Sequence, residues 1–255
     1  MDWAKDYYTQ QSRTFARATV TDQHRRIAQR LHGWCGERDG VRRILELGAG
    51  MAGVAAALAD RGYDVCAVEF NPADATLARS LASQPRAGGL TIVEDDFYTV
   101  DLPGRFDFIY YWDGFGIGTD DDQRRLLRRI GQDWLAADGR ALIDVFSPWN
   151  WRRRHGERST FTARDGSTWE RRIEYETHGE RFRDHWSTAD DPTVHRSQTI
   201  RCYTPLEFED LARETGLAVD RFIAMDGYAF SANEITEEIR ATNGFYVLLQ
   251  PCPMR

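Results

Sequence analysis

A glycine-rich segment between an apolar run and an alanine-rich run constrains the fold more than any other feature of the chain. Residues 43–47 form the apolar run, and residues 54–61 have the composition of a helix. The glycines between them predict a tight turn from a strand into a helix. Gly48 can adopt a positive φ, Gly50 lets the backbone approach a ligand, and Gly53 allows close packing of the helix. This arrangement is typical of the first unit of a parallel α/β sheet.

A carboxylate at the end of the next apolar run indicates what such a turn can hold. Residues 63–68 predict a second strand, and Glu69 follows that strand directly. A carboxylate can accept two hydrogen bonds from the hydroxyl groups of a ribose. Because ligands of open α/β sheets bind at the carboxyl ends of the strands, the pattern predicts a nucleoside site at that edge.

The glycine spacing alone leaves two classes of nucleoside open. Gly48-x-Gly50-x-x-Gly53 satisfies the dinucleotide fingerprint, with an acid at a suitable distance. Glu46 lies two residues before the first glycine, and a carboxylate is unfavourable beside a helix N-terminus that carries a pyrophosphate. A ligand with an amino group and a sulfonium fits better. The only lysine is Lys5, so the Tyr-x-x-x-Lys pair of short-chain dehydrogenases cannot be present.

The same segment resembles motif I of the class I S-adenosylmethionine-dependent methyltransferases, whose pattern is acid-x-Gly-x-Gly-x-x-Gly. Residues 44–53 match every fixed position of that pattern. The resemblance implies that S-adenosylmethionine is the cofactor and that Glu46 positions its methionine end through the amino group. Ala49 and the three glycines would form the turn around the cofactor.

The resemblance continues at the ends of the next two strands. Glu69, with Phe70 and Asn71 after it, is similar to the family's acid that binds the ribose hydroxyls. Residues 93–97 resemble the family's loop after strand 3, where an Asp receives the adenine amino group and its neighbour packs on the ring. The residues concerned are Asp95, Asp96 and Phe97.

Strand 4 and the loop after it also resemble the family. Residues 106–112 would form the strand, and residues 113–116 the loop that faces cofactor and acceptor. Trp112 is expected on the cofactor side. Tyr111 and Phe115 are expected on the acceptor side.

The resemblance implies a Rossmann-like, doubly wound α/β fold with a seven-stranded sheet. The strand order would be 3-2-1-4-5-7-6, with strand 7 antiparallel to the others. We expect an N-terminal helical cap over residues 1–39. The cofactor-binding core would comprise residues 40–146 and 204–255, and residues 147–203 would form a small inserted antiparallel sheet.

The N-terminal segment has apolar residues at helical intervals between residues 3 and 32. In many small-molecule methyltransferases such a segment covers the cofactor, and an aromatic pair often contacts the ligand there. Tyr8 is therefore a candidate for cofactor contact, with simple packing of the helix as the alternative. Arg13 is a candidate partner for the methionine carboxylate.

Apolar residues alternate through much of 147–203 and predict three or four antiparallel strands. This topology resembles small-molecule N-methyltransferases, including those that methylate amino sugars attached to nucleotides. In those proteins the sheet roofs the acceptor pocket and often makes subunit contacts, so a homodimer through this sheet is expected. Trp149, Arg152 and Arg153 could bind an anionic or aromatic acceptor. A solvated basic turn is the alternative.

Methyl transfer from a sulfonium requires little from the protein beyond positioning the acceptor and excluding water. An amine acceptor needs only to be neutral, whereas a hydroxyl acceptor benefits from a base. His185, on a predicted strand of the insertion, and Asp113, at the end of strand 4, are the candidate bases. A structural or exposed histidine is the alternative for His185.

The bulk composition excludes several classes of function. No apolar run reaches the length of a membrane span, and the net charge of −7 argues against nucleic acid as the main partner. The four cysteines are scattered without zinc spacing, which indicates free thiols in a reducing cytoplasm. Residues 120–122 are all aspartate, and the helix macrodipole explains them without a metal.

These observations predict a cytoplasmic enzyme that transfers a methyl group to a nitrogen or oxygen atom of a small molecule. The acceptor would be an amino sugar, an amine, a phenol or a natural-product intermediate. One alternative is a methyltransferase-like fold that uses the cofactor structurally or catalyses another reaction. A protein or nucleic-acid methyltransferase and a nicotinamide-dependent enzyme are further alternatives.

Overall fold

The computed structural model describes residues 2–15, 19–36, 40–189, 191 and 193–252. The strands are β1 (Arg43–Leu47), β2 (Asp64–Glu69), β3 (Leu90–Glu94), β4 (Phe106–Phe115), β5 (Leu135–Phe146), β6 (Arg158–Thr162), β7 (Thr168–Glu176), β8 (Arg181–Thr188), β9 (His195–Arg201), β10 (Leu217–Ala224), β11 (Ala229–Phe230) and β12 (Gly244–Pro251). The helices are α1 (Asp2–Phe15), α2 (Asp22–Gly36), α3 (Gly53–Ala59), α4 (Pro72–Ala82), α5 (Asp120–Arg129), α6 (Pro148–Arg153), α7 (Pro205–Glu214) and α8 (Glu237–Ala241).

The main sheet has the order β11-β10-β12-β5-β4-β1-β2-β3 within the described residues. β1 lies parallel to β2 on one side and to β4 on the other, which places the ends of all three strands at one edge. β12 runs antiparallel to both β5 and β10. The predicted order and the antiparallel last strand are therefore confirmed. The two-residue strand β11, which pairs with β10, adds an edge strand that the sequence did not indicate.

Local capping explains where the helices next to the site begin. The Asn71 side chain accepts a hydrogen bond from the Ala73 N–H, and Pro72 occupies the first turn of α4. Thr119 and Asp122 form a reciprocal capping box at the start of α5. The aspartates of that helix therefore stabilise its first turn, as the macrodipole argument predicts.

Both faces of the main sheet carry buried apolar side chains, so the sheet is the centre of the core. Leu45 and Leu47 of β1 pack on one face, together with Ile109 of β4. Ile44 and Phe108 pack on the other face, beneath α2 and α3. This burial on both sides is the reason that the parallel strands read as continuous apolar runs.

The insertion forms a separate four-stranded antiparallel sheet with the order β6-β7-β8-β9. Phe182, Asp184 and Trp186 alternate as buried residues along β8. The helix α6 precedes this sheet and was not predicted, because its six residues are too few for a periodic pattern. The sheet packs against α1 as well as α6, so the N-terminal helix and the insertion lie on the same side of the main sheet.

One helix boundary differs from the sequence, whose pattern from Thr119 to Ala136 indicates a single helix. The helix α5 ends at Arg129, and a π-helical turn, Ile130–Trp134, leads into β5. Burial of Ile130 and Trp134 in the core accounts for the wider turn, since both side chains must face the sheet. The predicted cap over residues 1–39 includes residues 1, 16–18 and 37–39, which lie outside the described residues.

Candidate functional site

The turn after β1 has the backbone that its glycines predicted. Gly48 and Gly50 have φ values of 64° and 53°, in the left-handed region that favours glycine. A Cβ at Gly48 would lie 3.0 Å from the Tyr111 ring, whereas a Cβ at Gly50 would meet nothing within 4 Å. The turn therefore presents open backbone at Gly50. Gly53 packs against α2, because a Cβ there would lie 2.2 Å from the His24 ring.

Glu69 closes the other side of the turn. Its Oε2 accepts a hydrogen bond from the Gly50 N–H at 2.7 Å, and its Oε1 accepts one from the Asn71 N–H at 2.8 Å. Only 4% of the residue is exposed, and burial raises the pKa of its carboxyl to about 7. The carboxyl group is thus held in one orientation at the carboxyl edge of the sheet. The Ala49 N–H donates to the Val68 carbonyl and joins the turn to β2.

Glu46 occupies a different place from the one that the resemblance implied. Its side chain points into the core, where burial raises its pKa to about 8 and where the Ala55 N–H and the Tyr110 hydroxyl lower it. One carboxyl oxygen has no hydrogen-bond partner within the described residues. The carboxyl group lies at the N-terminus of α3, behind the glycine turn, and does not line the adjoining cavity.

That cavity, which we call the nucleoside cavity, lies above the ends of β1, β2 and β4. Gly48, Gly50, Glu69 and Phe70 form one wall. The opposite wall includes Asp96, Phe97 and Trp112, which were expected on the cofactor side, and Tyr111, which was expected on the acceptor side. The fold thus brings together, in one cavity, residues from the ends of four strands, β1 to β4. The cavity encloses about 100 Å³.

Asp95 and Asn71 support the nucleoside cavity from outside its wall. The Asp95 carboxylate accepts a hydrogen bond from the Asp96 N–H at 2.7 Å. The buried Asn71 amide donates to Asp74 at 2.8 Å. Asp74 lines the cavity and was missed in the sequence, where its place in the first turn of α4 has an ordinary capping explanation.

The helix α1 covers the nucleoside cavity. The Ser12 hydroxyl donates to Asp74 at 2.7 Å, and the Thr9 hydroxyl to the Asn71 side-chain oxygen at 3.1 Å. Tyr8 lines the cavity, in agreement with the cap that the sequence predicted. Arg13 lies on the same helix but does not line the cavity.

A second and larger cavity, which we call the acceptor cleft, lies between α1 and the inserted sheet. It encloses about 820 Å³, which is within the usual range for small-molecule sites. Aromatic and polar side chains both line it. The aromatic ones include Tyr7 and Phe15 of α1, Trp151 of α6, and Phe161, Phe182 and Trp186 of the inserted sheet. Trp151 and Phe182 stack with ring centroids 3.8 Å apart.

A buried ion pair lies in the wall of the acceptor cleft. Arg171 of β7 donates to both carboxyl oxygens of Asp184, at 2.7 and 3.0 Å. The Gln198 side chain lies 3.4 Å from the same carboxylate and accepts a hydrogen bond from the Tyr8 hydroxyl at 2.6 Å. This chain of contacts ties α1 to the inserted sheet.

Tyr8 and Asp113 line both cavities and mark the place where the two meet. Asp113 has a φ of 57°, an uncommon conformation for a residue with a side chain. Its N–H donates to the buried carboxylate of Asp144 at 3.3 Å. The Asp113 side chain is accessible to solvent where the two cavities meet, and desolvation by the protein packed around it raises the pKa of its carboxyl to about 6.

His185 lies on the opposite face of the inserted sheet from the acceptor cleft. Its ring is 2.9 Å from Glu174, and side chains on that face are polar. Asp184, which faces the cleft, was missed. Its spacing of two from Phe182 and from Trp186 was the signal, because alternate residues of a strand share a face.

The five residues predicted to bind the acceptor also lie outside the acceptor cleft. Arg152 pairs with Glu180, Arg153 pairs with Glu237, and the Trp149 ring packs against Arg240. In their place, Trp151 and Arg154 of the same segment face the cleft. Phe115 is fully buried between Tyr203 and Phe208 and lines neither cavity. Tyr111 lines the nucleoside cavity, and its hydroxyl donates to the Gly114 carbonyl at 2.9 Å.

Across the described ranges, no group of three or more His, Cys, Asp or Glu side chains is arranged to hold a metal ion. None of the helices that the structure describes combines the length and the apolar character that crossing a membrane requires.

Comparison with known proteins gives consistent results. A family model described as a methyltransferase domain matches residues 16–221. No curated protein matches the chain. The fold is similar to that of the CcbJ methyltransferase from Streptomyces caelestis, with a TM-score of 0.73 and 19% identity over 90% of this chain and 89% of that one.

Two sugar-modifying proteins have the same fold. CalS10, an amino pentose methyltransferase from Micromonospora echinaspora with bound S-adenosylmethionine, has a TM-score of 0.59 and 20% identity over 90% of each chain. The sugar N-methyltransferase KedS8 from Streptoalloteichus has a TM-score of 0.61 and 19% identity, over 90% of this chain and 86% of that one. Since the family model spans most of the sequence, the chain belongs to the methyltransferase-domain family and has the class I methyltransferase fold.

Proposed function

We propose that this protein transfers a methyl group from S-adenosylmethionine to a nitrogen or oxygen atom of a small molecule. The observation that carries the proposal is the meeting of the nucleoside cavity and the acceptor cleft at Tyr8 and Asp113. A transfer reaction requires two ligands whose reacting atoms approach each other directly. Two adjoining cavities with shared residues satisfy that requirement.

The residues around the nucleoside cavity fit the cofactor. Glu69 would accept the ribose hydroxyls, Asp96 the adenine amino group, and Phe97 would pack on the adenine ring. The open backbone at Gly50 supports this assignment, because a Cβ there would meet nothing within 4 Å and a polar ligand can approach the turn. When bound, the cofactor supplies an activated methyl group on a positively charged sulfur.

Cofactor entry would require α1 to shift. The nucleoside cavity encloses about 100 Å³, whereas sites for small molecules usually enclose about 300–1,000 Å³. On the cofactor side, the helix is held by side-chain hydrogen bonds from Thr9 and Ser12. Its buried Ala4 and Tyr7 and the hydrogen bond from Tyr8 to Gln198 hold it on the other side, so the shift must keep or replace these contacts.

Residues of the chain would then position the acceptor and exclude water. The inserted sheet and α6 supply the roof of the acceptor cleft, which supports the predicted role of residues 147–203. Asp113 is the one candidate base at the junction of the two cavities. His185 is not proposed as a base, because the sheet separates it from the cleft.

Homodimerisation through the inserted sheet remains a prediction. The outer face of that sheet carries charged cross-strand neighbours such as Arg172, Glu174 and His185. Such a surface is more polar than the interface of an obligate dimer. Light scattering on the purified protein measures the mass directly, and a monomer at micromolar concentration would contradict the dimer.

The experiment that tests the proposed function has two parts. Calorimetry should detect binding of S-adenosylhomocysteine and none of NAD or NADP. A panel of amino sugars, amines and phenols should then yield at least one acceptor that releases S-adenosylhomocysteine from S-adenosylmethionine. Binding of NAD would contradict the cofactor. Tight cofactor binding without turnover on a broad panel would favour a structural role for the cofactor.

A further inference from the structure

The charged side chains that line the acceptor cleft are largely neutralised by each other. Arg171 is held by both oxygens of Asp184. Arg154 is held in the same way by Glu157, at 2.7 and 2.8 Å. Each arginine therefore lies in the cleft wall with its charge already neutralised by a carboxylate. An anionic acceptor would gain little from either of them, because it would compete with a bidentate partner.

Another arginine, Arg196, lies behind the cleft wall. Only 8% of it is exposed, its guanidinium lies 4.0 Å from the centroid of the Trp169 ring, and it donates to the Thr14 hydroxyl at 3.0 Å. It does not line the cleft. Within the described residues, the cleft thus presents no cation without a carboxylate partner to a ligand.

Asp113 differs from the other described carboxylate in the cleft wall, Asp184, because it has no ion-pair partner. Its carboxylate makes no ion pair or hydrogen bond with any described residue, although Arg171 is near enough to lower its pKa. It lies where the acceptor cleft meets the nucleoside cavity. A carboxylate in this place is a counter-ion for a positively charged group at the reacting end of the acceptor.

The aromatic walls favour the same kind of ligand. Tyr7, Trp151, Phe182 and Trp186 line the cleft. Two of these rings already have a guanidinium near them, since Arg154 lies 4.4 Å from the Trp151 centroid and Arg171 lies 5.6 Å from the Trp186 centroid. The face of an aromatic ring carries negative potential and attracts cations, most strongly in tryptophan. Aromatic walls with one unpaired carboxylate form a site suited to an alkylammonium group.

We propose that the acceptor carries a basic amino group and has neither phosphate nor carboxylate, and that Asp113 binds this amino group. The proposal rests on the proposed function and specifies its substrate class. An ammonium must lose a proton before its nitrogen can accept a methyl group. At Asp113 the N–H bond breaks, the proton passes to the carboxylate oxygen, and the nitrogen keeps the electron pair.

The test uses the full chain saturated with S-adenosylhomocysteine and three probes with the same ring. Tryptamine is the cation, indole the neutral compound and indole-3-acetate the anion, and calorimetry measures each dissociation constant. We expect tryptamine to bind about tenfold more tightly than indole, as for a cation over aromatic faces beside a carboxylate. Indole-3-acetate should bind more weakly than indole. Thymidine diphosphate, as a fourth probe, tests a phosphorylated acceptor and should not compete with tryptamine.

A pair of variants isolates Asp113. Asp113→Asn should reduce the affinity for tryptamine about tenfold and leave the affinity for indole unchanged. Asp210→Asn, on the exposed surface of α7, is the matched control and should change neither. Binding of indole-3-acetate or thymidine diphosphate as tight as that of tryptamine would overturn the proposal, as would no detectable binding of tryptamine at millimolar concentration. If S-adenosylhomocysteine itself fails to bind, the proposed function fails first.

Discussion

The affinity for the cofactor should depend on pH through Glu69. Burial raises the pKa of this carboxyl to about 7 in the ligand-free protein. The ionised form accepts two hydrogen bonds from a ribose diol, whereas the protonated form retains a proton that competes for one of them. Ligand binding therefore favours the ionised form and lowers the pKa. The affinity should rise as pH increases through about 7 and then become constant.

The magnitude follows from the ionised fraction. With a pKa of about 7, roughly one tenth of the carboxyl groups are ionised at pH 6 and roughly nine tenths at pH 8. The dissociation constant of S-adenosylhomocysteine should thus decrease about tenfold between these values. Binding at pH 6 should also release nearly one proton, which calorimetry in buffers of different ionisation enthalpy measures directly.

Two variants make this prediction specific. Glu69→Gln should bind more weakly at pH 8 and should lose the proton release at pH 6. Glu69→Ala should weaken binding by about 2–4 kcal/mol, the cost of a lost pair of charge-assisted hydrogen bonds. Glu94→Gln is the matched control, since Glu94 is the register neighbour of Glu69 on β3 and lies outside the nucleoside cavity. A constant affinity of the wild type from pH 6 to 8, or the same slope in Glu69→Gln, would refute the reasoning.

Three further predictions follow from the same structure. Gly48→Val should abolish binding of S-adenosylhomocysteine in calorimetry, because φ is 64° there and a Cβ would lie 3.0 Å from the Tyr111 ring; a well-folded variant that binds normally would contradict this. Trp151→Ala should raise the KM for the acceptor while the dissociation constant of S-adenosylhomocysteine stays constant, and Trp149→Ala, outside the cleft, should change neither value in the same assays. Burial raises the pKa of Asp144 to about 8, so the folded state keeps a proton that the unfolded state releases above about pH 4. The free energy of unfolding, measured by thermal unfolding, should therefore fall by on the order of a few kcal/mol between about pH 4 and 8. Asp144→Asn should flatten that slope.

The nucleoside cavity was largely predictable because its residues are local to strand ends. Gly48, Glu69 and Asp96 each lie at the end of a strand or within two residues of it, and the parallel sheet brings those ends together. Glu46 was harder to place, because the orientation of its side chain depends on the packing of α3 and on Tyr110. No sequence pattern near Glu46 indicates that tertiary contact.

The acceptor cleft was less predictable, because its lining depends on which face of a short element is buried. Trp149 and Trp151 lie in a six-residue helix, where no periodicity indicates the inner side. His185 was a candidate because a histidine can act as a base, whereas the alternation of buried residues along β8 indicates that Asp184 faces the cleft. In both cases the residue type alone did not show which side chain faces the cleft.

The helix α1 gives the two ligand sites a common element. It is bonded to the cofactor side through Ser12 and Asp74, and to the acceptor side through Tyr8 and Gln198. A ligand in either cavity therefore acts on the same ordering equilibrium of this helix. The ligand that binds first bears the entropic cost of fixing α1 in the productive position, and the second binds to a helix already in place. We expect each ligand to increase the affinity for the other, and thermodynamic reciprocity makes the two increases equal although the ligands contact different walls.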